Sequence, residues 1–366
     1  MPELRSGYSL FISLLFFLRK EKIKIMEQMG CYYSLRSCVW EITLACCFSC
    51  KYCGSRAGRA RENELSTEEC LNVARQIAAM GCRRVSMIGG EVFMRHDWKR
   101  IVKELTDRDV QVSIITNGYL FSEKMISDVR ELNIESIAVS LDGPQKIHDS
   151  FRQEGSFQRS LHTIDVLTEN DIPVSVITTL HSKNVSHLEK MYKILKRKKI
   201  FAWQLQACSP MGNAAEGTFS AKIDFREVIH FVEKHFDNPY FAVGIADNIG
   251  YYTESEGYLR GNTSGKGVFT GCRAGLTSIG IDSVGNVRGC ESMYDEAFVE
   301  GNLRERSLAD IWNDPKSFTY NRQFTLDHLE GKCRKCNYAE RCAAGCRSYN
   351  YFSTGKLYES PYCARH

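Results

Sequence analysis

From Val39 onward, short β-rich runs alternate with helical ones, and that alternation leaves few folds open to the chain. Residues 39–43, 84–88, 111–115, 136–141, 174–179 and 202–206 are the candidate strands. Residues 67–80, 98–107, 123–132, 157–169 and 186–198 are the helical stretches between them. Strands separated by helices of about ten to fifteen residues build βαβ units, and such units build a parallel sheet. The crossovers are expected to be right-handed. After Gln206 the regularity weakens to one further helical run, 225–236, followed by a segment rich in Gly, Tyr and Asn.

Cysteine spacing is the second constraint. Cys46, Cys50 and Cys53 stand at C-x3-C-x2-C spacing just after the first candidate strand. Three thiolates so placed can hold three irons of a [4Fe–4S] cube and leave the fourth iron to a small molecule. Alone, the run is also open to a zinc loop or to free core thiols. A second array lies near the C-terminus. Cys272 precedes Gly285 and Cys290, and then come Cys333, Cys336, Cys342, Cys346 and Cys363. Its 333–346 part would also suit a zinc ribbon. Cys31, Cys38, Cys47, Cys70, Cys82 and Cys208 fall outside both patterns and read mainly as buried thiols.

At 366 residues the chain has room for about two domains. A hydrophobic content of 43% and a charged content of 25% are those of an ordinary globular chain. A net charge of +4 makes no case for nucleic acid. Sixteen cysteines, most of them in cluster-like patterns, speak for metal rather than disulfides and for a reducing cytoplasm. Residues 8–18 are apolar but too short for a bilayer span, which takes about 20 residues. They lack a clear small-residue cleavage site. The basic RKEKIK that follows leaves a membrane-surface helix open, as it does a true start at Met26. The expected organisation is an N-terminal extension 1–33, a core 34–237, a bridging region 238–267 and a cysteine-rich domain 268–366.

Further motifs sit at the strand ends. Gly89-Gly90-Glu91 follows the second strand, Thr116-Asn117-Gly118 the third, and Ser140-Leu141-Asp142-Gly143 the fourth. A glycine pair lets backbone approach a ligand closely. Together with Cys46/Cys50/Cys53 and Tyr52, these motifs resemble the radical S-adenosylmethionine (radical SAM) superfamily. The C-terminal array resembles its SPASM extension, C-x9–15-G-x4-C … C-x2-C-x5-C-x3-C … C. The resemblance implies an α/β fold, a partial (β/α)6 TIM-type barrel with a C-terminal cysteine-rich SPASM domain binding auxiliary iron–sulfur clusters. Chemistry in such barrels sits at the C-terminal ends of the strands.

The implied cofactors are S-adenosylmethionine, a [4Fe–4S] cluster on Cys46, Cys50 and Cys53, and two auxiliary clusters. By resemblance one auxiliary cluster takes Cys333, Cys336, Cys342 and Cys363. The other takes Cys272, Cys290 and Cys346. Its fourth position is left to a distant residue such as Cys208, to a non-cysteine group, or to an open iron that could bind a substrate thiol. Gly89, Gly90 and Glu91 are implied to receive the methionine amino group. Asn117 and Ser140 would contact the sugar or carboxylate, Arg152 the carboxylate, and the loop at Pro210-Met211-Gly212-Asn213-Ala214 the adenine. Glu291, just after Cys290, is the candidate proton acceptor.

The implied activity is cleavage of S-adenosylmethionine to a 5′-deoxyadenosyl radical and oxidation of a peptide or protein substrate by a radical SAM oxidoreductase. The implied partners are that substrate, a reductant such as flavodoxin or ferredoxin, and a separate leader-binding protein, since only 45 residues precede Cys46. Neither nucleic acid nor an integral membrane span is expected. The alternatives are a small-molecule radical SAM oxidoreductase, for example in haem or alcohol metabolism, and a non-catalytic iron–sulfur electron-transfer protein.

Overall fold

The computed structural model describes residues 33–216, 223–246, 248–249, 254–260 and 269–365. The apolar stretch 8–18, the RKEKIK segment, Met26 and Cys31 lie outside them. Internal contacts divide the chain after Ser34, and everything below concerns the unit Leu35–His366.

Seven parallel strands follow one another in chain order: β1 (Ser37–Glu41), β2 (Arg84–Ile88), β3 (Gln111–Thr116), β4 (Ser136–Ser140), β5 (Val174–Leu180), β6 (Ala202–Ala207) and β7 (Ala242–Ile245). Helices α1 (Thr67–Ala79), α2 (Trp98–Thr106), α3 (Met125–Glu131), α4 (Gln145–Phe151), α5 (Ser156–Glu169) and α6 (Leu188–Leu195) fill the crossovers, and α7 (Phe225–His235) precedes β7. The expected α/β fold with sequential parallel strands is present. Helix α4 was not anticipated. It is two turns long and starts behind Pro144, too short to show a helical period.

Strand β7 was not anticipated either. It lies in the stretch read as a bridge, yet it pairs in register with β6 from Ala202 opposite Ala242 to Leu205 opposite Ile245. At the other edge the C-terminal domain joins the same sheet. Strand β8 (Ser278–Ile281) pairs parallel to β1, and β9 (Asn286–Arg288) and β10 (Gly301–Asn302) continue antiparallel. One ten-stranded sheet therefore runs β10-β9-β8-β1-β2-β3-β4-β5-β6-β7.

Burial explains the pairing. Residues of β5 alternate between buried and half-buried, so one face meets the helices and the other an interior space. Trp40, Met87, Ile114, Ile137, Val176 and Trp203 are fully buried on the helix side. Helix α1 opens on a capping box. Ser66 Oγ accepts from Glu69 N at 3.3 Å, and Glu69 Oε2 accepts from Ser66 N at 2.8 Å.

Candidate functional site

The loop after β1 carries the first three cysteines and is held by backbone. Cys46 N donates to Gly58 O at 2.9 Å and Gly58 N to Leu44 O at 3.1 Å. Glu64 fixes the entry to the loop, accepting from Leu44 N at 2.6 Å and from Thr43 Oγ1 at 2.9 Å. The loop after β6 closes over it. Asn213 N donates to Cys53 O and Asn213 Nδ2 to Cys50 O, both at 2.9 Å. Gly212 sits at φ +57, and any Cβ there would overlap the carbonyls of Cys53 and Gly54.

These two loops and the strand ends surround a cavity of about 450 Å³. Cys46, Cys50, Tyr52 and Cys53 form one wall. Gly89, Gly90, Asn117, Ser140 and Arg152 reach it from successive strand ends and the segment beyond β4. Cys290, Glu291 and Tyr294 of the C-terminal domain close it.

The glycine pair also serves the cysteine loop. Gly90 N donates to Thr43 O at 2.8 Å, and Glu91 N donates to Ala45 O at 2.7 Å. A Cβ on Gly90 would come to 2.5 Å from Leu44 O and closer still to Ala45 O. Glu91 is outside the cavity lining. Its carboxylate is buried behind the wall, accepting from Thr116 Oγ1 at 2.8 Å, Asn117 N at 2.8 Å and Phe93 N at 3.3 Å. Burial pushes its carboxyl up to about 7 against the lowering effect of these donors. Glu91 thus positions Asn117, whose Oδ1 accepts from Tyr119 N at 2.8 Å.

Asp142 is the hub that strand-end reading did not single out. It is fully buried and accepts from Arg152 Nε, Tyr52 Oη and, at 2.8 Å, Thr179 N. Burial pushes its carboxyl up, but Arg152, His148 and Tyr52 outweigh that and hold it below the usual range. The Arg152 guanidinium also lies 5.5 Å from the Tyr52 ring centre. The SLDG motif contained this residue, and a carboxylate at a strand end was the available signal.

Glu291 is buried, and among the described residues neither of its carboxylate oxygens has a hydrogen-bond partner. Burial, then Glu41, push its carboxyl well up. Gly280 makes space for it, since a Cβ there would stand 2.7 Å from Glu291 Oε2. Beside it, Glu41 accepts from Arg61 Nη1 at 2.5 Å and from Ser283 N at 3.2 Å, and Arg61 also donates to the Tyr294 hydroxyl. A carboxylate inside the apolar run Val39-Trp40-Glu41-Ile42 was a visible signal for Glu41. Nothing local marks Arg61 or Tyr294.

In the C-terminal array, Cys333, Cys336, Cys342 and Cys363 act electrostatically on one another. Burial, then Cys363, Cys333 and Cys336, push the Cys342 thiol up to about 12. Cys272 and Cys290 share an apolar cluster with Ala274, Met293 and Phe298. Cys346 packs against Phe269 with Cys342 and Cys363. Cys208 packs with Tyr52 and Ala214 and lines the same cavity as Cys290.

The sulfurs fit iron–sulfur ligation. Backbone amides point at them: Phe48 N at Cys46 and Ala57 N at Cys53, at 3.4 and 3.3 Å. Ser360 N reaches Cys333, Tyr338 N reaches Cys336 and Tyr349 N reaches Cys346, at 3.3, 3.5 and 3.5 Å. Such donors stabilise thiolate sulfur and tune clusters.

Residues 40–195 match the Radical SAM superfamily, and residues 272–337 match SPASM, an iron–sulfur cluster-binding domain. The AdoMet-dependent heme synthase of Methanosarcina barkeri is 28% identical over 347 residues, covering 90% of this chain and 96% of that protein. The mycofactocin maturase MftC of Mycolicibacterium smegmatis is 25% identical over 331 residues, covering 88% and 80%. The crystal structure of Streptococcus suis SuiB bound to S-adenosylmethionine superposes with a TM-score of 0.76 at 16% identity, covering 94% of this chain and 80% of that one. These matches supply the cofactors: S-adenosylmethionine, a [4Fe–4S] cluster and auxiliary iron–sulfur clusters. Residues 40–195 thus carry a Radical SAM superfamily domain, and residues 272–337 a SPASM iron–sulfur cluster-binding domain.

Proposed function

We propose that the chain is a radical SAM oxidoreductase that modifies a peptide or protein. The observation that carries this reading is a shared wall. Cys290 and Glu291 face the same cavity as Cys46, Cys50 and Cys53, so a radical source, an auxiliary-cluster ligand and a carboxylate without a partner serve one space. Cys46, Cys50 and Cys53 would hold the [4Fe–4S] cluster, and S-adenosylmethionine bound there would supply the radical chemistry for removing a hydrogen atom from substrate.

The chain's own groups do the rest. Gly89 and Gly90 keep the backbone open to the methionine end, Arg152 offers its guanidinium to the carboxylate, and Asn117, Ser140 and Tyr52 line the remaining wall. Glu291 holds the proton that leaves the oxidised substrate. Cys272, Cys290 and Cys346 would hold one auxiliary cluster, and Cys333, Cys336, Cys342 and Cys363 the other. A flavodoxin or ferredoxin would supply the electron in the cytoplasm, and a separate protein would present the peptide leader. Among the described residues no helix is long and apolar enough to cross a membrane.

MftC is named as a maturase, and SuiB has been crystallised with its precursor peptide SuiA. Both support a peptide substrate. A second reading, a tetrapyrrole substrate, is favoured by the heme synthase that matches along 90% of the chain. One experiment separates them. The anaerobically reconstituted enzyme is given S-adenosylmethionine and dithionite with either a precursor peptide encoded beside its gene or an iron porphyrin bearing carboxylate side chains. A mass change in the peptide supports the first reading, and a mass change in the porphyrin alone overturns it.

A further inference from the structure

Arg347 follows Cys346 directly and opens α8 (Arg347–Thr354). Its side chain is 1% exposed, among the largest fully buried groups in the protein. A buried cation ordinarily has an anionic partner, because desolvating an unpaired charge costs several kcal/mol, roughly. Among the described residues Arg347 has no carboxylate partner. Its Nε donates to Asn321 Oδ1 at 3.1 Å, and Nη1 donates to Ala343 O and, at 3.4 Å, to Leu357 O. The guanidinium lies 4.8 Å from the ring centre of Phe324 and 4.7 Å from that of Tyr358. All of these partners are neutral groups. Hydrogen bonds and rings orient the cation without neutralising it.

Cysteines of both auxiliary sets lie beside it in the chain: Cys346 precedes it directly, and Ala343, whose carbonyl accepts from its Nη1, follows Cys342. Burial works against the charged guanidinium, while Cys272, Tyr358, Cys346 and Cys342 work for it. Cys272 and Cys346 belong to one proposed ligand set and Cys342 to the other. An arginine remains protonated throughout the working pH range, so its charge is a fixed feature of this region.

We propose that Arg347 is the internal counter-ion of the auxiliary iron–sulfur centres, set next to Cys346 of one ligand set and bonded to the residue after Cys342 of the other, and keeps their reduction potentials high. Each centre gains one negative charge on reduction, and net charge and surroundings set cluster potential. A buried positive charge nearby favours the reduced form. The rings of Phe324 and Tyr358 keep water away and keep that effect undiluted. Arg347 is in this sense a positioning and tuning residue, with no contact to substrate. The proposal rests on the auxiliary clusters and not on the identity of the substrate.

The test is an EPR-monitored redox titration of the anaerobically reconstituted protein, which needs no turnover. Arg347→Gln removes the charge and keeps a polar chain. It is expected to move the oxidised-to-reduced ratio of at least one auxiliary cluster about tenfold at a given potential, a lowering of about 59 mV for a one-electron couple. Arg347→Lys keeps the charge and is expected to move it far less. Asn321→Ala removes one anchoring hydrogen bond but no charge and is expected to leave the potentials in place. Unchanged potentials in Arg347→Gln with full iron content would overturn the proposal. So would equal shifts in the glutamine and lysine variants. If Arg347→Gln loses auxiliary iron, retention of that iron in Arg347→Lys supports the proposal, and equal loss in both overturns it. A failure to modify any peptide would leave these readouts untouched.

Discussion

The side-chain amide of Asn213 donates to the carbonyl of Cys50 at 2.9 Å, tying the loop after β6 to the loop that carries the first three cysteines. Its neighbour Gly212 reaches that loop only because it lacks a Cβ. Gly212→Ala combines a left-handed φ with a clash against backbone, and the two together cost roughly 2–4 kcal/mol locally. The variant is expected to lose the N-terminal cluster, about four irons, while keeping the auxiliary clusters. Iron analysis with EPR of the reduced protein checks this.

Gly90→Val should act on two things at once. Its side chain would enter the space of the Leu44 and Ala45 carbonyls and displace the start of the cysteine loop. Production of 5′-deoxyadenosine is expected to fall by about 100-fold or more, as for an ångström-scale misplacement at a reacting centre. Chromatography of the cleavage products under anaerobic reduction measures it.

Arg152→Met leaves Asp142 charged and fully buried without its main partner. Removing one member of such a pair costs roughly 3–5 kcal/mol. The double variant Asp142→Asn with Arg152→Met removes both charges and is expected to unfold at a higher urea concentration than Arg152→Met alone. If the double variant were the weaker of the two, the pair would not be the electrostatic unit described.

Glu91 has a stability signature in pH. Its carboxyl is raised from 4.5 to about 7 in the folded protein. The folded state therefore binds the proton more tightly than the unfolded state. The stabilisation is complete below about 4.5 and is lost as pH rises toward 7, by roughly 3 kcal/mol. His148 and His181, both lowered to about 4 by burial, act in the opposite direction and lose stability as pH falls below 6.5. The useful quantity is thus the urea midpoint of wild type minus that of Glu91→Gln, which should fall as pH rises from 5 to 8. Parallel profiles would show that Glu91 does not titrate in this range.

Cys363 is the last cysteine of the chain and acts on Cys333 and Cys342. Cys363→Ser is expected to lower bound iron by about four atoms per chain and to leave the N-terminal cluster's EPR signal in place. Full iron retention would remove Cys363 from the ligand set.

The parallel sheet, the cysteine motif and the strand-end motifs were legible in the amino-acid sequence because each is local. A buried strand shows as an apolar run, a helix as a period, and a ligand set as a spacing. Residues 84–88 appeared as a strand and form β2 with those bounds. The rest required the folded chain. Strand β7 spans only Ala242–Ile245, too short to stand out from its Gly- and Tyr-rich surroundings, and is held by pairing with β6. Strand β8 becomes part of the main sheet because Ser37–Trp40 offers it a free edge some 240 residues earlier in the chain. Glu91 belongs to a motif that suggested a ligand contact, but burial turned its carboxylate toward Thr116 and Asn117. Asp142, Arg61 and Arg347 acquire their significance from partners far away in sequence. Hydrogen bonds and charges across such separations depend on which groups the fold brings together and dehydrates, and no run of neighbouring residues records that.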